Sequence, residues 1–193
     1  EARDLGVIVD SSLNFQAHSL SLVKAGRRAA FQTLRCFLSG KVAPLVKAYK
    51  TYVLPKLEYA SQVCYPQSQN ERTAIEKVQR FFTRLVYKKC GKKKASYEQR
   101  LRFLKLDSID VRRCKLDLLL CHRMYHHQTH DCDVLTRSHS LRHQRHNHHL
   151  LKDPRGCLAR LSFFSNRVVA LWNALPERII LSVINTFKQF IGL

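Results

Sequence analysis

Apolar residues recur at three- and four-residue spacing along most of this chain, which is the pattern of amphipathic α-helices. The clearest case is residues 71–87, where apolar side chains form one continuous stripe. Helix boundaries are marked by Pro44 in a first turn, by the capping box Ser96-x-x-Gln99 and by Pro176 as a terminator. The pattern predicts helices over residues 16–38, 44–54, 71–87, 97–104, 109–127 and 163–173, and a last short helix capped by Ser182.

Two segments depart from the helical pattern. Leu5–Val9 is short, apolar and β-branched, so we predict one strand there, with its partner strand upstream of this chain. Residues 128–160 are polar, aperiodic and rich in histidine. The predicted fold class is therefore mainly α: a helical bundle with a short N-terminal β-strand and an irregular His-rich loop. We divide the chain into a strand and linker (1–15), a basic helical domain (16–127), the polar His/Arg-rich loop (128–160) and a C-terminal helical segment packing on the basic domain (161–193).

The composition of the chain indicates which class of molecule it binds. The chain has 193 residues and is 45% hydrophobic, which is enough to build a core and argues against global disorder. It carries 34 Lys+Arg against 14 Asp+Glu, a formal net charge of +20. Such an excess points to a polyanion, first a nucleic acid and second an anionic membrane surface. No run reaches the ~20 apolar residues that a membrane-spanning helix needs. The chain begins within a patterned segment and without Met, so we interpret it as part of a longer protein.

The cations follow helical spacing. Between Arg72 and Arg123 the sequence has 16 Lys and Arg against 5 Asp and Glu. A row of cations gains affinity for phosphates by releasing condensed counterions, and it positions a duplex without reading its sequence. Tyr87 and Tyr97 flank the lysine run, where they either stack on a base or belong to the core. The predicted phosphate contacts are Lys24, Arg28, Arg35, Lys77, Arg80, Arg84, Lys88, Lys92, Lys93, Lys94 and Arg167.

The cysteines and histidines leave two interpretations open. Seven cysteines occur, an odd number without any C-x-x-C pair, which is typical of reduced and mostly buried intracellular thiols. Cys121, His122, His126 and Cys132 are candidate zinc ligands, with the two histidines four residues apart on a predicted helix. Their spacing matches no standard zinc finger. We therefore favour a solvated His-rich loop joined to a helix end over a structural zinc site.

The acidic residues offer no catalytic centre. Polymerases hold two Mg²⁺ ions with two or three carboxylates, and this chain has neither an adjacent Asp-Asp pair nor an aromatic-x-Asp-Asp turn. We interpret Glu76, Glu98 and Asp117 as solvent-face residues that balance basic helices. No catalytic residue is predicted in this chain.

Six segments together resemble the C-terminal thumb and post-thumb region of non-LTR, LINE-type (Jockey-like) retrotransposon reverse transcriptases. The last of them is similar to the closing pattern FFSNRVVxxWNxLP of that family. Each segment alone is a weak match, whereas six in the same order are specific. The segments are Asp4–Val7, Val53–Ser61, Lys77–Leu85, Tyr97–Leu106, Arg137–Leu141 and Phe163–Pro176.

The resemblance implies that the parent protein is an RNA-directed DNA polymerase whose palm, with its aspartates and Mg²⁺, precedes this chain. The N-terminal strand would then be the end of that palm. A thumb in such enzymes grips the template–primer duplex, so the implied partners are an RNA/DNA or DNA duplex of any sequence and the upstream palm and fingers. The implied location is intracellular, in the nucleus when the enzyme acts on DNA. The chain alone is expected to be inactive, to bind no cofactor and to have no membrane partner.

Two alternatives remain open at this point. The chain is either a stand-alone nucleic-acid-binding protein derived from such an element, with or without a stabilising zinc ion, or a non-functional remnant that still folds in part. Zinc content and duplex affinity separate these alternatives from the first interpretation.

Overall fold

The computed structural model describes residues 1–37, 40–126, 134–137, 148–153 and 158–193. These residues are mainly helical, with a short two-stranded antiparallel sheet at the N-terminus, so the mainly α prediction is confirmed. They form two compact units, Glu1–Arg112 and Arg113–Leu193. In chain order the elements are β1 (Ala2–Asp4), β2 (Val7–Val9), α1 (Gln16–Cys36), α2 (Val42–Ala48), a π-helical turn (Tyr49–Val53), α3 (Leu54–Glu58), α4 (Gln69–Lys89), α5 (Tyr97–Leu104), α6 (Ile109–His126), β3 (Thr136–Arg137), β4 (Leu150–Leu151), α7 (Leu158–Ser162), α8 (Phe164–Asn173), α9 (Glu177–Ile180) and α10 (Ile184–Ile191).

The N-terminal strand has its partner within the chain. The expectation of a partner strand upstream is wrong, because β1 pairs antiparallel with β2 in the register Ala2 to Val9. The two turn residues, Leu5 and Gly6, have φ of 44° and 82°, as a two-residue turn matching the twist of a hairpin requires. The hydroxyl of Tyr59 donates to the carbonyl of Leu5. Strand β1 could not be predicted from the sequence, because its three residues, Ala-Arg-Asp, have no strand pattern.

Helix α1 buries a face of small residues. Gly26, Ala29 and Ala30 are buried, whereas the larger apolar residues Leu20 and Phe31 of the same helix are 52% and 54% exposed. Helix α1 is rotated about its axis so that Gly26 faces the core, because neighbouring side chains lie very close there. A Cβ built on Gly26 would lie 2.4 Å from Cδ2 of Leu57 and 3.4 Å from a methyl group of Val78. The core of this unit is built where α1, α3 and α4 meet.

Gly26→Ala is expected to destabilise unit 1 by about 1–3 kcal/mol, because the added methyl group overpacks a site whose neighbours are fully buried. At a helical position with free space, a Gly→Ala substitution stabilises the helix by ~1 kcal/mol. Chemical denaturation measures the effect. Gln32→Ala, on the exposed side of the same helix, serves as the control and should leave stability unchanged or slightly raised. A stabilised Gly26→Ala variant would contradict the close packing of α1.

The helical path does not end at residue 54, where the predicted helix ends, but continues through Pro55. The backbone continues from α2 to α3 through a π-helical turn, Tyr49–Val53, placed directly before Leu54 and Pro55. A π turn shifts the hydrogen-bonding partner by one residue, which accommodates a proline that lacks an N–H. At the end of this stretch the carboxylate of Glu58 is bound by the guanidinium of Arg112, whose Nη2 lies 3.2 Å from Oε2.

Unit 2 is built around the tryptophan. Trp172 is fully buried and packs with Phe164, Val168 and Phe187. The Nε1 of Trp172 donates to the carbonyl of His148 at 2.9 Å. Its neighbour Leu171 is 39% exposed. Across the described residues, no helix is both long enough and apolar enough to cross a membrane.

Candidate nucleic-acid interface

Helix α4 separates a buried apolar face from an exposed basic one. It begins at Gln69 after the N-cap Ser68, whose Oγ accepts from the N–H of Glu71 at 3.2 Å. The buried side consists of Ile75, Val78, Phe82 and Val86 with the polar residues between them. The opposite side, which we call the α4 basic face, consists of Lys77, Arg80, Arg84 and Lys88, all exposed.

The α4 basic face has no acidic partner among the described residues: none of its four cations lies within 4.0 Å of a carboxylate oxygen. Spacings of three and four residues place the four side chains in one row along the helix. A row of unpaired, exposed cations keeps its full charge for an external anion. This is the geometry that phosphate contacts along one strand require.

The outer side of α1 carries a second group of cations. Lys24, Arg28 and Arg35 are exposed, opposite the buried face of that helix, and α1 contains no acidic residue. The guanidinium of Arg35 lies 5.7 Å from the ring centroid of Phe31. Arg27, which the sequence analysis passed over, is also exposed on this side. All three predicted cations of α1 are therefore placed to meet solvent or phosphate.

Neighbouring lysines at the end of α4 have different roles. Lys88 and the run Lys92–Lys94 are exposed. The Nζ of Lys89 instead donates to the carbonyl of Leu34 at 2.8 Å and to the carbonyl of Phe37, which satisfies carbonyls at the C-terminal end of α1. The sequence alone does not show that Lys88 is exposed while Lys89 binds carbonyls of α1, because this difference depends on the packing of α1 against α4.

A buried polar network supports the inner side of α4. The amide of Gln79 is fully buried, and its Oε1 accepts from Tyr49 Oη at 2.6 Å. Its Nε2 donates to Tyr97 Oη at 3.0 Å and to the carbonyl of Asp107 at 2.8 Å. Tyr97 is therefore a structural residue whose hydroxyl faces inward. The guanidinium of Arg80 lies over its ring at 4.6 Å from the centroid, which orients that member of the basic face.

Glu76 belongs to the same network, and its interpretation as a solvent-face residue is wrong. Its side chain is buried, Oε1 accepts from the hydroxyl of Tyr97, and Oε2 accepts from the N–H of Ile109 at 2.9 Å. That second bond caps the first turn of α6, together with Ser108 Oγ, which accepts from the N–H of Val111 at 3.3 Å. Burial raises the pKa of Glu76, and its hydrogen bonds from Tyr97 and Ile109 oppose that rise.

The raised pKa of Glu76 predicts a pH dependence of stability. A carboxyl that binds its proton more tightly in the folded chain stabilises the fold when protonated. The contribution is complete below the ordinary pKa of 4.5 and is lost as the pH rises through the folded-state pKa. The stability advantage of the wild type over Glu76→Gln should therefore shrink from pH 4 towards pH 7 in denaturant unfolding. An advantage that grows over this range would contradict the burial of this carboxyl.

We predicted that Arg167 contacts phosphate, but its guanidinium is bound within the protein. Its Nε and Nη2 donate to the two carboxylate oxygens of Asp117 at 2.7 and 2.9 Å, and Nη1 donates to the carbonyl of Ser162 at 2.9 Å. Asp117 is buried, so its interpretation as a solvent-face residue is also wrong. The fork of a guanidinium matches a carboxylate, and each group removes the cost of burying the other. We therefore remove Arg167 from the candidate phosphate contacts.

The candidate zinc ligands make protein contacts where the structure describes them. His122 Nε2 lies 2.9 Å from the carbonyl oxygen of Ser182, and His126 Nε2 lies 2.7 Å from that of Ile180. Burial raises the pKa of the Cys121 thiol, which disfavours the thiolate that zinc binds. Cys132 and most of the predicted 128–160 loop lie outside the described residues. Within the described ranges, no group of three His, Cys, Asp or Glu side chains is arranged to hold a metal ion.

The described cysteines form no disulfide. They are Cys36, Cys64, Cys90, Cys114 and Cys121, of which Cys64 and Cys121 are buried and Cys36 is exposed. Burial raises the pKa of Cys64 to about 11. The prediction of buried thiols thus applies to Cys64 and Cys121, and it is wrong for Cys36.

Comparison with known proteins places the chain in a family. Neither a protein-family model nor a solved structure matches it. Over 134 residues it is 32% identical to the uncharacterized protein B0403.1 of Caenorhabditis elegans, a match that covers 69% of this chain and 68% of the nematode protein. The chain belongs to the B0403.1 family.

Proposed function

We propose that this chain is the thumb and post-thumb part of a LINE-type reverse transcriptase, and that it grips the template–primer duplex through phosphate contacts. It has no catalytic role of its own. In this proposal the Mg²⁺ ions belong to the upstream palm, and the partners are that palm, the fingers and an RNA/DNA or DNA duplex. The protein acts intracellularly, in the nucleus when the template–primer is assembled on DNA.

The observation that carries this proposal is the α4 basic face. Four exposed cations in one row, without an acidic partner among the described residues, suit a phosphate backbone better than a protein surface of mixed charge. The buried network of Gln79 and Glu76 ties the inner side of the same helix to neighbouring parts of unit 1. The exposed cations of α1 add further positive charge to unit 1. Contacts of this type carry no sequence information.

Duplex affinity as a function of salt tests the proposal. We expect the chain to bind RNA/DNA duplexes of unrelated sequence with equal affinity. Because counterions are released, log K should fall linearly with log salt, with a slope of about −0.9 for each phosphate contact. Strong sequence preference, or an affinity that is independent of salt, would refute the phosphate grip.

A second candidate is a stand-alone nucleic-acid-binding protein derived from such an element, because the exposed α4 basic face suits a polyanion whether or not a polymerase is attached. The basic face would act in the same way, without a polymerase attached. An antibody against this chain distinguishes the candidates. A cellular band near 22.5 kDa supports the stand-alone protein, and a much larger band supports the polymerase.

A further inference from the structure

An exposed aromatic ring lies at the end of the α4 basic face. Phe103, on α5, is 38% exposed, whereas its neighbour Leu104 is buried in the core. The ring meets that of Tyr87 edge to face, with centroids 5.3 Å apart and an interplanar angle of 79°. Tyr87 directly precedes Lys88, the last cation of the basic face. The aromatic pair Tyr87–Phe103 therefore continues the row of cations.

Cations surround this pair. The Nζ of Lys92 lies 5.6 Å from the centroid of the Phe103 ring. Lys93 and Lys94 follow it and are exposed, and Arg102 and Lys105 flank Phe103 in the chain and are exposed as well. Within the described residues none of these five cations lies within 4.0 Å of a carboxylate oxygen. The lysines beside the Phe103 ring are thus available to the phosphates of a nucleic acid.

An aromatic ring beside cations can bind a nucleic acid in a way that a row of cations alone cannot. Every nucleobase has a π face, and an aromatic side chain beside cations binds an unpaired base by stacking while the cations hold the adjacent phosphates. A base inside a duplex is already stacked on its neighbours and cannot use such a ring. The aromatic pair is therefore suited to the strand where it leaves the duplex.

We propose that the Tyr87–Phe103 pair, with Lys92, is a stacking site for one unpaired nucleobase of the single strand that extends from the duplex held by the α4 basic face. This inference rests on the proposed function, because the duplex brings the single strand to the site. Lys92 leaves the ring when the base arrives and pairs with the neighbouring phosphate. Phe103 supplies the stacking surface, and Tyr87 fixes the orientation of its ring.

Three probes test the site with the whole chain. They are a blunt RNA/DNA duplex, the same duplex with a short single-stranded extension, and the same extension made of abasic sugar-phosphate. The wild type should bind the base-bearing extension about fivefold or more tightly than the abasic one, as a single stacking contact implies. Phe103→Leu should abolish this preference and leave blunt-duplex affinity unchanged, because every cation remains. Phe103→Trp should retain the preference.

The matched control is Phe31→Leu, which removes an exposed ring with a cation over it on α1. It should leave the preference for the base-bearing extension intact. Equal binding of the base-bearing and abasic extensions by the wild type would overturn the stacking site, even if salt-dependent duplex binding upheld the proposed function. Loss of the preference in Phe31→Leu but not in Phe103→Leu would also overturn it. Failure of the blunt duplex to bind would refute the proposed function, and comparing the two extensions as free single strands would then show separately whether the aromatic pair stacks on a base.

Discussion

Reversing three charges of the α4 basic face, with Lys77→Glu, Arg84→Glu and Lys88→Glu together, should lower duplex affinity by about a hundredfold or more at low salt. Each cation that neutralises a phosphate releases counterions, and this release supplies most of the affinity of sequence-independent binding. The three side chains are exposed and make no ion pair among the described residues, so the fold should not depend on them. Arg80 is left in place because its guanidinium packs on Tyr97. Fluorescence anisotropy with a blunt RNA/DNA duplex measures the loss.

The chain offers a matched control with the same change in net charge. Lys47, Lys50 and Lys56 are exposed on the helical stretch from Val42 to Glu58, and changing all three to Glu removes as much positive charge from another surface. We expect that control to lose far less affinity than the α4 variant. Equal losses would show that binding follows net charge and not the geometry of α4.

The second large effect is expected from Arg167→Ala, which should destabilise unit 2 by about 3–5 kcal/mol. The substitution leaves the carboxylate of Asp117 buried without its bidentate partner, and removing one member of a buried ion pair costs that much. Burial already raises the pKa of Asp117, and Arg167 opposes the rise. Without the arginine the carboxyl is protonated more readily, so the loss should be smaller at pH 5 than at pH 7.5.

Denaturant unfolding of the whole chain measures this loss, and Arg178→Ala provides the control. Arg178 is an exposed arginine of α9, so its removal should change stability by no more than about 0.5 kcal/mol. The double variant Arg167→Ala with Asp117→Ala should be more stable than the sum of the single losses predicts, because the two groups interact directly. A loss below about 1 kcal/mol in Arg167→Ala would contradict the buried ion pair.

Local signals in the sequence predicted most helices correctly. The capping box of Ser96 and Gln99 forms as expected, and Ser108 caps α6. Phe164, Val168, Trp172 and Leu175 are buried as the periodicity of α8 indicates. These features depend on contacts within about one turn of the helix, so a single segment contains the information needed to predict them.

The errors arise where the outcome depends on residues far apart in the chain. Glu76 and Asp117 were interpreted as surface acids because charged side chains are rarely buried without a partner. Their partners lie 33 and 50 residues away, at the N–H of Ile109 and at Arg167, and no local pattern connects them. The rotation of α1 has the same origin, since only the approach of Leu57 makes the side of Gly26 the buried one.

The segments that resemble reverse transcriptases also contain polar residues whose hydrogen bonds stabilise the interior of each unit. Gln79 and Tyr97 build the network of unit 1. In unit 2, Asn173 pairs through its side-chain amide with both backbone groups of Leu150, at 2.9 and 3.0 Å, and Asn166 accepts from the N–H of Asp153 at 2.9 Å. The polar residues in the segments that carry this resemblance are thus structural, whereas the candidate interface consists of lysines and arginines that many helices carry.

The salt dependence of duplex binding tests the central claim most directly. The slope of log K against log salt is measured for the wild type, for the Lys77/Arg84/Lys88→Glu variant and for the Lys47/Lys50/Lys56→Glu control. If the α4 basic face holds phosphates, its variant should have a slope shallower by about 2.7, which is three contacts at 0.9 each, and the control should keep the wild-type slope. A wild-type slope in the α4 variant would contradict the account, because that helix would then contribute no phosphate contact.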